Sequence, residues 1–139
     1  EDKKALFAAV IEAELSAVAD QIERATPDAT APFDALVEGG RAFFDAMAVG
    51  ERPRLILIEA PAVLGWEVLR DMDRKHGGRT LHEGLDAAMK EGVIAKLPLE
   101  TLATMLSALF DRGALAIESG ANPDDVNQVI AAILDGLRR

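Results

Sequence analysis

Residues 54–66 read RLILIEAPAVLGW, and how they fold decides the architecture. Arg54 to Glu59 carries enough branched apolar side chains for a buried strand. A strand needs a partner, however, and no second strand candidate occurs in the chain, so the segment is assigned to helix. Pro61 has no amide hydrogen and disfavours helical geometry at Ala60. The reading is therefore a short helix near 53–58, a break at Glu59-Ala60 and a new helix from Pro61 to about Arg74. With that segment helical, the whole chain reads as all-α.

The flanking segments agree. Residues 2–25 form a long amphipathic helix with Asp2 as N-cap, and Leu6, Val10, Ile11, Leu15, Val18 and Ile22 fall on one face. A loop over 26–31 leads to Pro32, which opens a second helix running to about Val49. Gly39-Gly40 inside that helix predicts a bend or a close helix contact, since each glycine costs about 1 kcal/mol against alanine there. Gly77-Gly78 ends the third helical region, and Thr80 with Glu83 is a capping-box pair for a helix continuing to Glu91. Pro98 opens a helix to Ser119. Asn122-Pro123-Asp124-Asp125 gives an N-cap, a first-turn proline and two acids at the positive end of a last helix over 123–138. The expectation is a bundle of about six helices in one domain, residues 1–139.

Composition narrows the function. Only six of the 139 residues are aromatic and none is Tyr, so the apolar half of the chain is mostly Ala and Leu, which favours helix. The absence of Cys removes disulfides and thiolate chemistry and fits a reducing, cytoplasmic setting. No apolar run is long enough to span a membrane. A net charge of −9 opposes binding of a polyphosphate by this segment itself. The two histidines, His76 and His82, lack metal-ligand spacing, and Asp71, Asp73 and Glu67 read as a solvated helix face. No catalytic residue, metal site or cofactor is expected. Glu59 either turns outward at a helix end or sits inside against a cationic or hydrogen-bonding ligand.

The helix over 98–119 is apolar nearly all round, and such a helix must be covered on more than one side. One cover is its own core; the other is a second copy of the chain, making a four-helix interface about a two-fold axis. The interface candidates are Leu106, Phe110, Gly113, Ala114 and Ile117, with Val126, Val129, Ile130, Ile133, Leu134 and Leu137 from the last helix. A central core helix in a monomer is the alternative.

Three stretches resemble tetracycline-repressor-type (TetR family) regulators. EDKKALFAAV is similar to the junction where these proteins leave their DNA-binding domain. APAVLGWEVLRDMD resembles their mid-domain segment, and PLETLATMLSALFDRGALAIESG with the helix after it resembles their dimerising pair. The resemblance implies a C-terminal domain that homodimerises through its last two helices and binds a small apolar or amphipathic effector. It also implies a helix-turn-helix domain before residue 1, through which alone operator DNA would be held. The cavity candidates are then Phe43, Phe44, Met47, Glu59, Leu64, Trp66, Met89, Leu102, Met105 and Leu109. The alternatives are a free-standing dimeric adaptor module and, weakest, an enzyme.

Overall fold

A computed structural model describes residues 2–28 and 30–139; Glu1 of the N-terminal junction and Ala29 of the first loop lie outside it. Seven helical units follow one another: α1 (Asp2–Ala25), α2 (Pro32–Met47), α3 (52–64), α4 (Trp66–Arg74), α5 (Gly77–Lys90), α6 (Leu99–Glu118) and α7 (Pro123–Asp135). No named strand occurs among the described residues; one isolated antiparallel bridge joins Ile94 to Arg138. The fold is all-α, as the sequence predicts.

Asp2 is the first helical residue of α1 rather than its cap, which places an acid at the positive end of the helix. The break in the 54–66 segment also differs from expectation. Leu55–Glu59 winds as a π-helix, with the Ala60 amide donating to the Leu55 carbonyl, and the chain continues helical through Pro61 to Leu64. In an α-helix the Pro61 ring would meet the carbonyl four residues back. The widened turn displaces that carbonyl, so the proline is absorbed rather than ending the helix. The real interruption is Gly65, at φ 88°, a left-handed backbone that glycine adopts without strain.

Gly77-Gly78 is a second correction. These glycines open α5 instead of ending α4, and Thr80 lies within the helix, donating to the Gly77 carbonyl, so the Thr80–Glu83 pair is no cap. A Cβ on Gly78 would lie 2.9 Å from the Asp73 carbonyl oxygen, so the α4–α5 turn closes only around glycine. The α7 cap follows expectation: Asn122 Oδ1 accepts from the Asp124 amide at 2.8 Å. That helix ends at Asp135, not 138. Its tail pairs with residues 93–95 through Ala95 to Leu137 and Arg139 to Val93 amide–carbonyl bonds, and the Arg138 guanidinium stands 4.6 Å from the centre of the Phe33 ring.

Helix α2 is the hub, packed on α1, α5, α6 and α7. Its junction with α6 is a reciprocal insertion. The Phe110 ring of α6 fills the space beside Gly40, where a Cβ would lie 2.8 Å from the ring. The Phe44 ring of α2 does the same beside Gly113, at 2.9 Å. Phe43 completes the cluster, edge-on to both rings at 5.5 and 5.8 Å between centroids. The close contact expected at Gly39-Gly40 therefore exists, and Gly40 is the residue that makes it.

Helix α1 is fastened to later elements by three ion pairs: Glu14 with Arg52 at 2.6 Å, Glu12 with His76 at 3.0 Å and Glu23 with Arg79 at 2.7 Å. Partly exposed pairs of this kind contribute little stability each; together they tie α1 to the start of α3, the α4–α5 turn and the first turn of α5.

Candidate functional site

Between α1, α2, α4, α5 and α6 lies a cavity of about 680 Å³, in the size range of small-molecule sites. Its apolar wall comes from Leu15, Val18 and Ile22 of α1, Leu36, Phe43 and Met47 of α2, and Ile56 and Leu57 of the π-turn. The same amphipathic face that drives α1 into the bundle thus also forms one side of the hollow. Trp66 stands at the rim, 68% exposed, just beyond the Gly65 break.

The opposite wall is polar. Helix α6 presents Thr104, Ser107 and Asp111 to the cavity, spaced three and four residues apart and so on one face. Helix α4 contributes Asp73. Burial raises the Asp73 carboxyl above its ordinary value; the Gly78 amide, aimed at it from the start of α5, and the nearby His76 both work against the rise. Asp111 has no such compensation. Burial, and secondarily the Asp73 charge, push it up to about 7. Two carboxyls from different helices therefore line the same hollow, and they resist carrying full charge together.

Asp73 also connects the cavity to α1. Three residues on, His76 Nε2 meets Glu12 Oε2 at 3.0 Å, and that hydrogen bond holds the Glu12 carboxyl below its usual range. The α4–α5 turn is thus hydrogen-bonded to α1.

The sequence candidates separate. Phe43, Met47 and Trp66 line the cavity. Phe44 and Leu64 are core residues, and Met89 is half-buried and packed on the core. Glu59 is exposed on the π-turn, away from the hollow, which answers the choice its position posed: it turns outward. Leu102 and Leu109 are half-buried, packed on the core and outside the cavity lining, and Met105 is 66% exposed. Of the pairing candidates, Leu106, Phe110, Ala114, Ile130 and Leu134 are buried in the chain's own core, and Ile117, Val126 and Leu137 pack against it. Gly113 faces Phe44, whereas Val129 and Ile133 remain exposed.

Asp73 and Asp111 were not read from sequence as site residues. For Asp73 the overlooked signal is the Gly-Gly pair four residues later, which brings an amide onto the carboxylate. For Asp111 it is the polar stripe Thr104-Ser107-Asp111 running along an apolar helix. No group of His, Cys, Asp or Glu suited to a metal ion occurs among the described residues. No described helix is long and apolar enough to cross a membrane.

Residues 33–139 match a known family, the tetracyclin repressor-like C-terminal domain. The chain belongs to that family. No curated protein matches it individually. In this tetracyclin repressor-like domain the matched region holds α2 to α7 and the tail, and so includes every polar group of the cavity wall on α4, α5 and α6. Helix α1, ahead of Pro32, is joined to the matched region through its three ion pairs and its packing on α2.

Proposed function

We propose that this domain is the effector-sensing and dimerising part of a tetracycline-repressor-type transcriptional regulator, with the cavity as effector site and the outer flank of α6 and α7 as the homodimer surface. The observation that carries the reading is the position of α6. One side of it, Leu106, Phe110 and Ala114, is sealed in the core, and a second, Thr104, Ser107 and Asp111, faces the cavity. The third carries the exposed Met105 and the half-buried Leu109, which shares a groove with the exposed Val129 of α7. A shallow apolar groove of about 290 Å³ between the two helices, lined by Leu109, Gly113, Ala116, Val126 and Val129 among others, receives the partner's side chains.

In this scheme α1 leads to a helix-turn-helix reader that precedes residue 1, and the exposed Leu6 and Val10 on its first turns face that domain. A small amphipathic molecule that fits the cavity at only one setting of α1 shifts the population toward that setting. It thereby alters the separation of the two readers in the dimer. Repression relieved by the effector is the form this takes. The setting is cytoplasmic, the partner is a second copy of the chain, and neither catalysis nor a cofactor is involved.

Sedimentation equilibrium or light scattering at micromolar concentration tests the reading. A dimer is expected, and a strict monomer overturns it. The same 139-residue chain is expected to give no operator shift at physiological salt, because its charge is −9.

A further inference from the structure

We infer that the cavity takes a cationic amphiphile, its apolar body against α1, α2 and the π-turn and its ammonium or amidinium end directed between Asp73 and Asp111. This rests on reading the cavity as the effector site and adds the chemistry of the effector. The ionisable groups lining the hollow are Glu23, Asp28, Asp73, Glu83, Glu91 and Asp111, against a single base, Arg70, which is exposed. Glu23 and Glu83 already share Arg79. Asp73 has the Gly78 amide. Asp111 has neither a hydrogen bond nor an ion pair with any described side chain.

Every fully occluded side-chain nitrogen or oxygen among the described residues has a hydrogen-bond partner. The unpartnered carboxyl of Asp111 is therefore not sealed in the core; it opens onto the hollow that it lines. A partly desolvated carboxyl beside a second one is costly to ionise alone and favourable to ionise next to a cation. No described cationic side chain pairs with Asp111, so the ligand supplies that charge. An anionic head would meet two carboxyls in low-dielectric surroundings and be repelled. Meanwhile the apolar wall of Leu15, Val18, Phe43 and Ile56 requires a hydrocarbon body rather than a bare ion.

Three probes with one chain length and different heads test this: decylammonium, decanol and decanoate, each below its micelle concentration, titrated by calorimetry. Decylammonium is expected to bind at least about tenfold more tightly than decanoate. Asp111→Asn should collapse that ratio to about threefold or less while leaving decanol affinity unchanged. Glu67→Gln, an exposed charge off the cavity, should retain the ratio, which separates local pairing from the general attraction of an acidic protein for cations. Equal binding of the three heads, or a preference that survives Asp111→Asn, overturns cation selectivity but leaves the cavity as an apolar effector site. Failure of all three to bind at millimolar concentration overturns both readings.

Discussion

The two flanks of α6 that are not sealed in the core differ in chemistry. On one, Met105 is exposed and the half-buried Leu109 shares an apolar groove with the exposed Val129 of α7. On the other, Thr104, Ser107 and Asp111 line the hollow together with Asp73. Both flanks include small residues, Ala116 on the first and Ala108 on the second. What separates them is the polar stripe; under the proposed function an apolar flank suits pairing with a second chain, whereas a flank that meets a small polar-headed molecule needs something to orient it.

The largest effect that can break this contrast lies at the core side of the same helix, which fixes how far each flank projects. Gly113→Val places branched carbon where Phe44 already stands at 2.9 Å and Val126 at 3.2 Å. A loss of about 3 kcal/mol in urea unfolding is expected. Phe44→Leu in the same background should return part of it, and additive behaviour would show that the reciprocal insertion does not couple the two helices.

A smaller effect belongs to the cavity flank. Asp111 ionises near 3.8 in the unfolded chain and near 7 in the fold. Between those values the native state holds more protons, so stability contributed by the protonated carboxyl is complete below about pH 4. It declines as pH rises and is gone above about 7. Asp73 acts in the same direction; Glu12, held low by His76, acts in the opposite one. Asp111→Asn is therefore expected to be more stable than the parent at pH 8, by about 1–2 kcal/mol after allowing for solvent access. The two should converge near pH 4, and a variant less stable at pH 8 would count against the assignment.

The smallest effect on folding belongs to the outer flank. Val129→Glu, at a 56% exposed site, should change unfolding stability by no more than about 0.5 kcal/mol. Light scattering should nonetheless show it as a monomer, because the isologous contact would bring two such carboxylates into one apolar seam. A dimer that survives this change would move the pairing surface elsewhere.

Much of the fold was legible because its signals are local. Pro32 and the Asn122 cap mark helix starts through backbone rules that need no tertiary knowledge. The all-α character followed from the lack of a second strand. Pro61 misled because its cost depends on the turn before it, and a π-turn removes that cost without any sequence mark of its own. Gly77-Gly78 misled for a related reason: the same pair can end one helix or start the next, and the Asp73 carbonyl decides. The site was less legible. A helical wheel gives angles, but which angle meets core, cavity or solvent is set by α2 and α7. Leu106 and Met105, adjacent in sequence, therefore ended on different sides of α6. Asp73 was indistinguishable from its neighbours Asp71 and Glu67 until the α4–α5 turn was closed on it.

The position of Trp66 has a practical corollary. It is the chain's single indole, set on the hollow's lip where the backbone bends at Gly65, with most of its surface in water. Its emission is therefore an intrinsic gauge of occupancy. A guest that dries the lip should move the spectrum to the blue without any attached dye, while pairing of two chains along α6 and α7 should leave the colour untouched.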